Sequence, residues 1–228
     1  MKQLVLTICM AIASVLAILC PAHAEITMPT LFSDHMVLQQ GMEVPIWGTA
    51  DDSEMVTVEF RDQTVDGDVI DGQWIVYLES MEAGGPDDIT ITSSNSDTVT
   101  FSDVQVGEVW VCSGQSNMVW KLIDSDGAEQ AIPDSGNHNI RLFILPNESG
   151  PEDATWEICD SNTSPDSYAV AFFFARELAM NLNVPIGLIE AAKGATGIHH
   201  WTTLRDGILY EEKIAPLQPY GIRGAIWY

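Results

Sequence analysis

The sequence predicts an α/β domain preceded by a small all-β module, and three observations support this. Before Gly107, short runs rich in β-branched and aromatic residues follow one another closely, separated by Gly, Asp and Pro turn residues. After Gly107, buried-type apolar runs alternate with a helical segment, the pattern of a parallel sheet. With 46% hydrophobic residues in 228, the chain has the apolar material for a substantial core.

The first 24 residues form a separate segment. Lys2 gives the charged start, residues 4–19 are almost wholly apolar, and Ala22-His23-Ala24 is a small-x-small cleavage pattern. They read as a secretory signal peptide cut before Glu25. The mature chain is therefore expected to be secreted or periplasmic, with no stable membrane insertion. Cys9 and Cys20 leave with that segment. Cys112 and Cys159 remain, and the sequence leaves open whether they pair or lie buried as free thiols. No Cys/His cluster of metal-binding type is present, and no cofactor is expected.

Residues 25–106 form the β module. Two strands flank a turn at Gly41 within residues 36–50, and further strands fall at 55–60, 73–78, 88–93 and 98–104. Turns are expected at Asp66-Gly67, Asp71-Gly72 and Gly84-Gly85-Pro86. Short strands at this spacing suggest a small sandwich. Residues 107–228 form the α/β part, with strands at 108–113, 140–145, 184–194 and 223–228. A helix is expected over 167–183, opened by Asp166, with Ala171, Phe174, Leu178 and Leu182 on its apolar face.

The formal net charge is −24, with only 9 Lys and Arg against 33 Asp and Glu. Such a surface repels phosphate backbones and anionic lipids, which argues against nucleic-acid and membrane-surface partners. The acid is scattered, as in a solvated shell.

In open parallel sheets, ligands bind beyond the carboxyl ends of the strands. Residues 113–117, residues 193–197 and whatever follows Tyr228 would meet there. Ser116 follows a strand and precedes an expected helix. There its hydroxyl can project and its N–H can face a developing oxyanion. The same pattern describes a serine that merely caps a helix, and residue pattern alone leaves both open. Gly194 likewise reads as an ordinary turn glycine.

Four ordered blocks sharpen this. "GEVWVCSGQSNM" (107–118) resembles the nucleophile segment of the sialate O-acetylesterases, within the SGNH (GDSL-like) hydrolase superfamily. "LFSDHMVLQQGMEVPIWGTA" (31–50), residues 172–201 and "IAPLQPYGIRGAIWY" (214–228) resemble further blocks of the same family. The resemblance implies a flavodoxin-like three-layer parallel sheet, incomplete in this chain. It implies a serine esterase acting on O-acetylated carbohydrates, sialic acids first, through an acetyl-serine intermediate. Ser116 would be the nucleophile and, through its own N–H, one oxyanion donor; Gly194 would be the second. Gln115, Asn117, Thr196 and Trp201 would contact substrate. Trp110, Trp120 and Trp201 flank the loops, and read as core residues before they read as sugar-stacking platforms.

The chain departs from the family twice. Ala195 stands where relatives have a second glycine, and His199 where they have an acid. The family's Gln-Gly-Glu block and Asp-x-x-His pair would come after Tyr228. The chain therefore reads as a fragment with little activity by itself, since a serine needs its base within hydrogen-bond reach. His199 and His200 read as solvated or packing residues rather than that base, and His35 and His138 as structural or surface ones. An acetylesterase for xylan or another polysaccharide, and a non-catalytic carbohydrate-binding protein, are the rival readings.

Overall fold

The computed structural model describes residues 25–52, 54–203 and 207–228; the signal segment at 1–24 lies outside them. The β module contains β1 (Val37–Gln39), β2 (Val44–Thr49), β3 (Met55–Phe60), β4 (Gln63–Asp68), β5 (Gln73–Leu78) and β6 (Gly84–Ser93). It ends in β7 (Thr98–Gly114), 17 residues long. One layer has the order β4-β3-β6-β7, antiparallel throughout, with β1 lying parallel against residues 105–107 of β7. The second layer is the antiparallel pair β2-β5. Alternation explains the packing: Val56, Val58 and Phe60 of β3 point inward with Ile89 and Ile91 of β6, against Ile46, Trp74, Val76 and Leu78 of the other layer.

The predicted strands at 98–104 and 108–113 are one strand. Gly107 lies inside β7, so the same strand that closes the β module becomes the middle of the second sheet. That sheet adds β8 (Ile140–Ile144), β9 (Trp156–Ile158), β10 (Ile186–Ala192) and β11 (Gly224–Trp227). β10 and β11 flank β7 in parallel, β8 pairs in parallel with β10, and β9 closes the edge antiparallel to β8. Its two faces bury different clusters, as a period of two requires. Cys112, Leu142 and Leu188 face the helical side; Val109, Val111, Phe143, Ile189 and Ala191 face a core continuous with the β module. The fold is α/β with few helices. The module covers the second face together with Trp156, Leu217 and Tyr220.

Three details differ from expectation. Gly84-Gly85-Pro86, expected as a turn, opens β6. Asp66-Gly67 is not a turn but part of β4, paired with Val56 and Thr57 of β3. The glycine serves packing there, because a Cβ would strike Val76. The helix, flanked earlier in the chain by the short α1 (Ala128–Asp134), is α2 (Ala169–Leu182). Asp166 does not open it; that residue ends a separate short 3₁₀ turn. The buried face is Ala169, Ala171, Phe172 and Ala175, whose small members allow close approach to the sheet, while Leu182 at the far end is 49% exposed. No helix among the described residues is long and apolar enough to cross a membrane.

Candidate active site

The site forms where three parallel strands end side by side. Ala192 of β10 is registered opposite Gly114, and Trp227 of β11 opposite Ser113. Backbone bonds tie the exits together: Lys193 N–H to Gly114 O at 3.1 Å, Tyr228 N–H to Ser113 O at 3.2 Å, and Gln115 N–H to Tyr228 O at 2.9 Å. Gly114 permits this crossing. Its φ is +141°, and a Cβ there would overlap the Tyr228 carbonyl.

Ser116 sits two residues beyond Gly114, in a turn and not at the start of a helix as the sequence suggested. Met118 N–H and Val119 N–H both bond to Gln115 O, at 2.9 and 3.2 Å, closing a single turn. The chain then passes outward to a 3₁₀ turn at Leu122–Asp124. The short loop and the buried Met118 hold the turn down while Ser116 and Asn117 stay exposed. The Ser116 hydroxyl donates to Gln115 Oε1 at 3.0 Å. Among the described residues its proton is thus directed at an amide oxygen, not at an imidazole or carboxylate.

Gly194 comes to the same place. A Cβ on it would lie 3.8 Å from Ser116 Cα and 3.7 Å from Val119 Cγ2. The two predicted oxyanion donors are therefore neighbours on adjoining loops. Ala195, the departure from the family pattern, adopts φ +61°, where a second glycine would sit without strain. Thr196 clamps the loop, donating from Oγ1 to Lys193 O at 2.7 Å and accepting Trp201 Nε1–H at 3.0 Å. Trp201 is only 6% exposed and packs edge-on against Trp227 at 5.4 Å, so it supports the loop from inside. Trp110 packs edge-on against Phe174. Trp120, by contrast, is 57% exposed beside the Ser116 turn, its indole N–H bonded to Asp124 O. The His199 and His200 rings lie 3.9 Å apart between centroids, tilted by 45°, in the 3₁₀ turn Ile198–Trp201.

Beneath the site lies a residue that pattern reading passed over. Glu190, fully buried in β10, accepts the Ser167 hydroxyl at 2.5 Å and Tyr168 N–H at 2.8 Å. Burial pushes its carboxyl up to about 8, against the opposing pull of those two donors. Cys112 and Cys159 are free and buried. Burial first, and Glu190 second, push both thiols upward, Cys159 to about 12, so neither is a nucleophile. No group of three or more His, Cys, Asp or Glu among the described residues is placed to hold a metal.

Residues 106–228 match the family described as carbohydrate esterase, sialic acid-specific acetylesterase. The chain is 27% identical to the sialate O-acetylesterase of Homo sapiens, over 86% of its own length and 47% of that protein's. It is 30% identical to that of Mus musculus, over 75% and 36%. Among solved structures, a carbohydrate acetylesterase from Xanthomonas citri superimposes with a TM-score of 0.83 at 30% identity, covering 89% of this chain and 51% of that one. The chain thus spans about half the length of the relatives it matches, or less. With the Ser116 turn, the Gly194 loop and β11 all inside the matched segment, the chain belongs to the sialic acid-specific acetylesterase family of carbohydrate esterases.

Proposed function

We propose that the chain transfers acetyl groups from O-acetylated sugars, sialic acids first, to Ser116 and then to water. The observation behind this reading is the adjacency of Ser116 and Gly194 at the shared end of β7 and β10. A carbonyl carbon attacked by Ser116 Oγ would place its oxygen between the N–H groups of Ser116 and Gly194. The Ser116 N–H has no acceptor among the described residues and is available for that role. Removing one such donor typically costs on the order of 10²–10³ in rate. Gln115, Asn117 and Thr196 line the approach as substrate contacts, and the exposed Trp120 ring offers the stacking face that the buried Trp201 does not. A secreted or periplasmic location agrees with this substrate class.

Among the described residues the Ser116 hydroxyl is bonded to an amide oxygen and not to a base, so its attack on an ester is expected to be slow and to depend on the oxyanion donors. The 228-residue chain is therefore expected to release acetate slowly from O-acetylated sialic acid, and more slowly from acetylated xylan, with Ser116→Ala abolishing both. Release that Ser116→Ala leaves unchanged contradicts the reading; a preference for xylan moves the substrate class to polysaccharide.

A further inference from the structure

The exit of the Ser116 turn is held down by a second segment of chain. Residues 120–122 run beside residues 167–169. Ala169 N–H donates to Trp120 O and Leu122 N–H to Ser167 O, each at 2.8 Å, and Lys121 and Tyr168 form an antiparallel bridge between them. Lys121 Nζ adds an exposed ion pair to Asp166. Glu190 grips this second segment from below, its Oε1 accepting the Ser167 hydroxyl and its Oε2 accepting Tyr168 N–H. Glu190 also lies four residues before Gly194 on β10, and the Tyr168 hydroxyl stands 3.5 Å from Ala192 O between them. One carboxyl therefore joins the strand that delivers Gly194 to the segment that holds the Ser116 turn.

A purely structural joint does not need an acid at this position. A glutamine would accept Tyr168 N–H at its carbonyl and donate its amide to the Ser167 oxygen, with no ionisable group to bury. No Lys, Arg or His among the described residues bonds to the Glu190 carboxyl. Arg141 of β8 is bonded to Asp103 and Asn139 instead, and Arg176 of α2 pairs with Glu177. The titratable groups that face Glu190 are Cys112 of β7, registered directly opposite, Cys159 beyond β9, and Tyr168. Burial first, and the Glu190 charge second, push all three upward, so none of them supplies a compensating charge. β8 sets Ile144 beside Glu190, and Ala171, Phe172 and Ala175 of α2 complete an apolar layer on this face of the sheet. The proton that Glu190 holds below about 8 thus keeps the joint neutral. Above that pH the same bonds must hold an unpaired carboxylate in an apolar layer. Lifting residues 167–169 to admit water relieves it, and this frees the exit of the Ser116 turn.

We propose that Glu190 is a positioning residue for acyl transfer: its carboxyl locks the Ser116 turn against the Gly194 loop, and its ionisation releases them. This rests on the reading of Ser116 and Gly194 as the acyl-transfer groups. The rate at which p-nitrophenyl acetate acetylates Ser116 tests it, read by mass on the peptide that carries Ser116, at pH 6.5 and pH 9. The 228-residue chain is compared with Glu190→Gln, both shown to be folded at each pH by near-ultraviolet circular dichroism. At pH 6.5 the two are expected to react within about twofold of each other. At pH 9 the parent is expected to fall at least about fivefold behind, because misplaced reacting groups lose rate steeply. The intrinsic pH dependence of the serine and the reagent cancels in this ratio, and a contact that only stabilises the fold leaves it unchanged between two folded proteins. A ratio that does not change with pH, or a parent that gains on Glu190→Gln at pH 9, overturns the proposal while acyl transfer stands. If neither protein is acetylated, acyl transfer fails, and amide hydrogen exchange of residues 115–122 and 193–197 decides the joint by itself. Faster exchange in the parent than in Glu190→Gln at pH 9 and not at pH 6.5 keeps the joint; equal exchange overturns it.

Discussion

Gly114 and Ala195 hold the two least ordinary backbones in the site, and they show how single residues set its geometry. At Gly114 the absent side chain is what lets Tyr228 cross the end of β7. At Ala195 the opposite holds: a methyl group sits on a left-handed backbone at φ +61°. Such a residue costs about 1–2 kcal/mol, of which glycine's greater loss of freedom would return about half. Ala195→Gly is therefore expected to stabilise the chain by about 0.5–1 kcal/mol, measured as a higher denaturant midpoint at unchanged slope. A lower midpoint would show that the methyl group makes a contact worth more than the strain. At this scale the sequence was informative where the side chain was small. Small polar residues breaking apolar runs placed Ser116 and Gly194 in loops at strand ends, while their proposed roles came from the family resemblance and not from the pattern. Lys193 was not legible as one half of an ion pair, since a lysine after a buried strand looks like any solvated strand end. Its ion-pair partner is Glu148, 45 residues away.

At the scale of elements, β10 and α2 are coupled through one buried acid. Tyr168 precedes α2 and offers a backbone N–H that no local side chain takes; Glu190 takes it from across the sheet. The raised carboxyl means that the folded chain holds a proton there that the unfolded chain releases. Between the ordinary 4.5 and about 8, the native state therefore binds more protons, and stability falls as pH rises through that window. A shift of this size corresponds to at most about 5 kcal/mol. Glu190→Gln cannot titrate. Compared with the parent chain by urea unfolding at pH 5 and at pH 8.5, it is expected to lose less stability on going to the higher pH. An identical loss in both proteins would show that Glu190 keeps an ordinary carboxylate's behaviour. The helix itself was legible from its apolar spacing, but its start was not. Asp166 had the chemistry of a cap and the wrong position, because the acceptor came from a strand over 20 residues later. The edge strand β4 was missed for a related reason: its outward residues are polar, and Gly67 resembles a turn when its packing role under Val76 is invisible.

At the scale of the molecule, β7 links the two halves. Residues 98–106 complete the antiparallel layer, and residues 108–114 form the centre of the parallel sheet. A change of texture at Gly107 was visible in the sequence, but local pattern could not tell a linker from a strand that continues with new partners. The buried amide of Gln39 reinforces the join, its Oε1 accepting Val109 N–H at 2.8 Å. As a result the loops at the ends of β7, β10 and β11 are carried on one rigid frame, and the Ser116 and Gly194 backbones face each other without a ligand to bring them together. The central claim is that this frame presents Ser116 as an acyl acceptor. Prolonged incubation of the 228-residue chain with p-nitrophenyl acetate, followed by peptide mass mapping, tests it directly. The account expects one acetyl group on the peptide containing Ser116, with none on the matching peptide of Ser116→Ala. An acetyl group found only elsewhere, or labelling of that peptide that persists in Ser116→Ala, would contradict it.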